Sequence, residues 1–185
     1  MSNIVPSIAQ NLPRIAEVQR NTAETRVAVR VNLDGTGKAS LNSGIGFLDH
    51  MLTLLTFHSD FDLKIIGHGD HETVGMDPHH LIEDVAIALG KCISEALGNK
   101  LGIQRYGSFT IPMDEALVTC DLDISGRPYL VFNADLSGSN HISMNSRTSS
   151  PGTASPFINE ARMVLEYFNY LSKVNFNLDE NGIEA

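Results

Sequence analysis

Pro78-His79-His80-Leu81-Ile82-Glu83-Asp84 places two imidazoles and a carboxylate at the opening of a helix. Residues three and four apart share a helical face, so Glu83 meets both His79 and His80. Pro78 suits the first turn, where its missing N–H costs nothing. Leu81, Ile82, Val85, Ala86, Ile87 and Leu89 mostly turn the other way, toward a core. The periodicity predicts a helix from His79 to about Leu97, closed by Gly98-Asn99. A divalent-metal site at the mouth of a packed helix is the chemistry this pattern points to. The alternative is a purely structural helix start.

Working outward, Arg26 to Leu33 alternates with Val27, Val29, Val31 and Leu33 inward, a half-buried strand. Asp34-Gly35-Thr36-Gly37 reads as a turn, from which Lys38 to Leu41 returns as a second strand. Gly44 to His58 reads as a helix and Phe61 to Ile66 as a strand, and the loop Gly67 to Asp77 leads to the histidine pair. A similar order then begins again. Ser108 to Ile111, Leu117 to Ile124 and Tyr129 to Leu136 are expected strands. Ser137 to Pro156 is an expected loop, Phe157 to Lys173 a helix, and Val174 to Leu178 alternates. The fold class is therefore α+β, in two tandem half-domains of related element order. A flexible leader covers 1–14, the first half-domain with the histidine helix covers 15–100, and the second covers 101–185. The second half is expected to be incomplete, with a divergent or truncated tail after about residue 137.

With 185 residues and 42% hydrophobic content, the chain is long enough for a real core. A net charge of −9 without a basic stripe argues against nucleic-acid binding. A phosphate ester remains within reach of a few local arginines. No apolar run is long enough to span a bilayer, and the first residues lack a secretory signal pattern. The expectation is therefore no membrane and a cytoplasmic location. Cys92 and Cys120 are too few and too far apart for a disulfide framework and are read as buried free thiols.

Other side chains carry two readings each. His50 follows Asp49, whose carboxylate either orients a ligating imidazole or caps the helix and leaves His50 exposed. His58 lies eight residues on, on about the same face. His68 and His71 are expected to be solvated loop residues, and His141 idle. Arg105 and Arg127 either fork a phosphate or pair with a carboxylate at the surface. Glu24, just before a strand, is by itself a surface residue. Imidazoles with a carboxylate and no thiolate suit manganese, iron, nickel or zinc, and spacing does not choose among them.

Seven ordered segments together resemble imidazoleglycerol-phosphate dehydratase, the manganese-dependent enzyme family of histidine biosynthesis. They are Arg20-Asn21-Thr22-Ala23-Glu24-Thr25, Asn32-Leu33-Asp34-Gly35-Thr36-Gly37, Gly44-Ile45-Gly46-Phe47-Leu48-Asp49-His50-Met51-Leu52, His79-His80 with Glu83-Asp84, Arg105-Tyr106-Gly107-Ser108, Pro112-Met113-Asp114-Glu115-Ala116, and Asp123-Ile124-Ser125-Gly126-Arg127-Pro128-Tyr129-Leu130. The resemblance implies half-domains that are each a four-stranded sheet backed by two helices on one face. It implies a homo-oligomer of 24 subunits with sites between neighbours and two Mn2+ per site. By position, His50, His79, His80 and Glu83 then look like metal ligands, and Glu24 and Glu83 like catalytic carboxylates. Glu24, His50, His58, Arg105 and Arg127 look like contacts for a small phosphorylated imidazole substrate. The implied reaction removes water from D-erythro-imidazole-glycerol phosphate to give imidazole-acetol phosphate. The family's second His-His-x-x-Glu helix has no counterpart here, and Leu81 stands where threonine commonly follows the histidine pair. A catalytically impaired fragment, or a metal-binding relative without turnover, is the alternative.

Overall fold

The computed structural model describes residues 13–69, 78–113, 116–133 and 175–180. Val27, Val29 and Val31 are buried, alternating with exposed Arg26 and Arg30 and half-buried Ala28, and this period of two builds the central strand β2 (Thr25–Asn32). Strand β1 (Ile15–Asn21) pairs antiparallel along its length, from Ile15 opposite Asn32 to Asn21 opposite Arg26. On the other side lies β4 (Asp62–Gly69), antiparallel to β2, and β3 (Ala39–Asn42) runs parallel to β4 at the edge. The sheet order is β1-β2-β4-β3.

A parallel pair needs a crossover, and helix α1 (Gly46–Ser59) supplies it between β3 and β4. Helix α2 (His79–Leu97) follows β4 and closes at Gly98, whose φ of 53° suits a residue without Cβ. Both helices cover one sheet face. Val29, Val31 and Ile65 from the strands, Leu52 from α1, and Leu81, Val85 and Cys92 from α2 form one core.

Two expectations change here. The segment after the Asp34–Gly37 turn does not return beside β2 as a hairpin. The carboxylate of Asp62 accepts the Thr36 and Lys38 N–H groups at 2.8 and 3.0 Å, carrying the loop across to the start of β4. Strand β1 was not among the strands expected from periodicity. Only Val18 of its seven residues is buried, so an edge strand leaves little apolar signal.

The second sheet repeats the first. Strands β5 (Tyr106–Met113), β6 (Ala116–Asp123), β7 (Tyr129–Asn133) and β8 (Asn175–Glu180) are ordered β5-β6-β8-β7. The β5/β6 and β6/β8 pairs are antiparallel and β7/β8 is parallel, matching their counterparts strand for strand. The mixed α+β architecture and the repeated order of elements thus appear in the structure. The expected leader through residue 12, the loop at Ser137–Pro156, the helix at Phe157–Lys173, His71 and His141 lie outside the described residues.

Among the described residues, the second sheet exposes Phe109 and Ile111, and α1 exposes Phe47, Met51, Leu54, Leu55 and Phe57. An apolar cleft of about 630 Å³ runs between the helices of the first half and Ile103, Leu122 and Ile124 of the second. No described helix is long and apolar enough to cross a membrane.

Candidate functional site

The start of α2 is anchored by Leu81, which is fully buried, while the flanking His79 and His80 are only half-buried. One leucine turned into the core therefore drives the imidazoles outward. Their ring centroids lie 3.8 Å apart at an interplanar angle of 44°. His80 Nε2 faces Glu24 Oε2 at 3.7 Å. Glu24 sits at the tip of the two-residue turn Ala23-Glu24, closed by the Thr22 N–H donating to the Thr25 carbonyl at 2.9 Å. Glu24 and His80 lie 56 positions apart in the sequence, and the β2–β4 pairing brings them together.

Around them lies an open basin of about 500 Å³, walled by Thr22, Glu24, Arg26, His68, Gly69 and His80. His68 was expected in a solvated loop. It belongs to β4, opposite Arg26, on the exposed side between buried Gly67 and half-buried Gly69. The signal that would have found it is the period of two through Leu63, Ile65 and Gly67, which continues past Ile66.

His50 is exposed near the start of α1. Asp49 does not serve it. Its carboxylate accepts the hydroxyl of buried Ser43 at 2.7 Å and the Ser43 N–H at 3.2 Å, tying the chain before the helix to its first turn. A Cβ on Gly67 would lie 3.2 Å from Leu81 Cδ1 and 3.5 Å from Ser43 Cα, so the openings of α1 and α2 meet over the same point of β4. His50 and the His79–His80 pair thereby rise from one end of the sheet. His58 lies in the last turn of α1, about 12 Å further along the axis at 1.5 Å per residue. Within one chain it does not join the basin. Its ring meets Phe57 edge-on at 5.2 Å.

Arg105 and Arg127 both lie on the chain at one end of the second sheet. The Ile124 N–H donates to the Arg105 carbonyl at 3.0 Å, and the turn Ser125–Pro128 follows directly. The Arg105 guanidinium is forked onto Asp123 at 2.5 and 3.0 Å and lies 4.9 Å over the Tyr106 ring. Donating to the Asp123 carboxylate raises the Arg105 pKa further. Carboxylate pairing is thus the geometry of Arg105 in this chain. Arg127 is exposed, and its N–H is held by Ser125 Oγ at 3.2 Å.

Imidazole and carboxylate donors are the chemical types that hold manganese or similar ions. The His79–His80 pair with Glu24 opposite fits such an ion in kind. Among the described residues, no group of three or more His, Cys, Asp and Glu side chains closes into a ligand set. One chain thus offers part of a coordination shell. The thiols stand apart: Cys92 is buried against the Ala16 carbonyl, and burial pushes its pKa up to about 11.

Residues 43–175 match the family model for imidazoleglycerol-phosphate dehydratase. The imidazoleglycerol-phosphate dehydratase of Lactococcus lactis subsp. lactis IL1403 is 84% identical over 127 residues, covering 69% of this chain and 64% of that protein. Against that relative the match spans somewhat less than two thirds of its length. The Clostridioides difficile 630 protein of the same name is 49% identical over 172 residues, covering 93% of this chain and 85% of its own. The crystal structure of imidazoleglycerol-phosphate dehydratase from Staphylococcus aureus N315 superposes with a TM-score of 0.69 at 31% identity, covering 92% of this chain and 85% of that one.

Proposed function

Since the chain belongs to the imidazoleglycerol-phosphate dehydratase family, we propose that it removes water from D-erythro-imidazole-glycerol phosphate in histidine biosynthesis, with Mn2+ as cofactor. The observation that carries this reading is Glu24 facing His80 across the basin at 3.7 Å. That distance leaves a carboxylate and an imidazole within reach of one bound ring.

In this reading His50, His79, His80 and Glu83 hold the metal, and neighbouring copies supply the donors that one chain lacks. When bound, the metal would supply Lewis acidity toward the substrate imidazole, which would acidify the C–H beside the ring. Glu24 is the group that takes that proton, and its exposed carboxylate has the freedom to return one as hydroxide departs as water. Glu83, one turn into α2, holds the imidazole pair in register. Arg127, joined by Arg105 once a phosphate displaces Asp123, anchors the phosphoryl group by charge-assisted hydrogen bonds. His58, at the far end of α1, contacts substrate held by an adjacent copy. The exposed apolar residues of α1, Phe47, Met51, Leu54, Leu55 and Phe57, support a homo-oligomer, read as 24 subunits from the resemblance. A cytoplasmic location follows from a biosynthetic role.

The test is turnover. The purified chain is mixed with Mn2+ and substrate, and the ketone product is followed by its absorbance in base. Wild type is expected to turn over, and Glu24→Gln to lose at least ~100-fold in kcat, the scale of one general acid–base group. Metal uptake by wild type without any ketone would overturn the enzymatic reading in favour of a non-catalytic relative.

A further inference from the structure

The turn that carries Glu24 is wired to α2 through a chain of hydroxyls whose hydrogens have only one consistent arrangement. Asp84, 7% exposed in α2, receives the Arg20 Nε–H on Oδ1 at 2.5 Å. Its Oδ2 accepts from the hydroxyl of Thr25, itself 2% exposed. A carboxylate paired with a guanidinium only accepts, so the single hydroxyl hydrogen of Thr25 is committed to Asp84. The Thr22 and Thr25 oxygens lie 3.1 Å apart, and Thr22 must therefore be the donor between them. With its own hydrogen spent there, Thr22 Oγ1 accepts the N–H groups of Glu24 at 3.2 Å and Thr25 at 2.9 Å.

The hydrogens thus run in one direction, from the Glu24 N–H to Thr22, then Thr25, then Asp84. Chains of this kind polarise one another and strengthen in a buried setting. Asp84 directly follows Glu83 and lies one helical turn beyond His80. We propose that Thr22, Thr25 and Asp84, with Arg20 holding Asp84, are positioning residues that fix the height and direction of the Glu24 turn over the first turn of α2. This rests on Glu24 as the proton-transferring group of the proposed reaction. None of the three touches the reacting atoms. Their effect is on where the Glu24 carboxylate sits relative to His80, and misplacing such a group by an ångström costs up to ~100-fold in rate.

The experiment compares Thr25→Val, the same shape without the hydroxyl, with Thr25→Ser, the hydroxyl with less bulk, in the full chain. Kinetics and amide hydrogen exchange at Glu24 are read together. Thr25→Val is expected to lower kcat by about 10- to 100-fold with KM within roughly three-fold, on the scale of a misoriented catalytic group. It should also speed exchange of the Glu24 amide by about five-fold, because Thr22 Oγ1, which accepts that N–H, loses the Thr25 oxygen that orients it, a change on the scale of one hydrogen bond. Thr25→Ser should restore both. Thr22→Val, at an exposed position, gives the same pair of readouts should Thr25→Val fail to fold. Unchanged exchange at Glu24, or a Ser variant as impaired as Val, would overturn the inference. Wild type without turnover would sink the dehydratase reading instead, and the exchange comparison would still decide whether the relay holds the turn.

Discussion

Leu81→Ala probes how packing holds the site. Leu81 is fully buried in the first turn of α2, between the two outward-facing imidazoles and the core. Its methyl carbons rest against Gly67, at 3.2 and 3.7 Å from where a Cβ would stand, and Gly67 has no side chain to swing into a void. Ser43, on the same wall, is fully buried and held by Asp49. Buried leucine-to-alanine changes cost about 2–5 kcal/mol depending on how far the site collapses. Here the walls are backbone and a pinned serine, so the cost stays above the low end, about 3–4 kcal/mol. For a chain of this size that corresponds to a fall in Tm of roughly 6–16 °C. Urea unfolding followed by far-ultraviolet circular dichroism measures it directly, since the midpoint falls by the lost energy divided by an unchanged slope. Leu81→Thr should cost a comparable amount, because the smaller side chain also buries a hydroxyl. A loss below ~1 kcal/mol for the alanine variant would refute the argument, because such a site would have to relax freely.

Other expectations rest on separate contacts. Gly35→Ala would place Cβ 2.3 Å from the Asp62 amide nitrogen and 2.7 Å from its carboxylate, an overlap with backbone that only a loop shift relieves. It should lower the thermal midpoint measurably, whereas Gly46→Ala, with open space around it, should not. The Thr36 and Lys38 N–H groups hold the Asp62 carboxyl below its usual pKa. A depressed carboxylate stabilises the fold above the unfolded value of about 4, and that contribution is lost as pH falls through the folded value. The stability difference between wild type and Asp62→Asn should therefore be full at neutral pH and shrink toward zero in acid. A difference that persists below about pH 2 would contradict this. Burial lifts the Cys92 thiol to about 11, so it should resist a thiol reagent at pH 8 until the chain unfolds. Rapid native-state labelling of Cys92, located by peptide mapping, would show that its packing is wrong.

Much of this is legible in the sequence. The helix from His79 to Leu97 and its glycine end follow from apolar periodicity and a C-terminal Gly-Asn, and the helix has those bounds. The valines of β2 alternate strictly because one face is dry and the other wet. Where that contrast fades, so does legibility. Strand β1 has one buried residue and passed unseen. The glycines flanking His68 read as a loop, although backbone pairing extends β4 through Gly69. Asp49 looked like a partner for His50, and only the turn at Ser43 shows the carboxylate pointing backward.

Local chemistry along the chain determined which residues carry imidazole, carboxylate and guanidinium, and which helices and central strand present them, because helical and strand periods are written in single stretches of sequence. Only tertiary pairing decided that Glu24 meets His80, that Arg105 is held by Asp123, and that β3 crosses to β4 instead of lying beside β2. Those outcomes depend on hydrogen-bond partners and sheet register far apart along the chain, where no nearest-neighbour preference reaches.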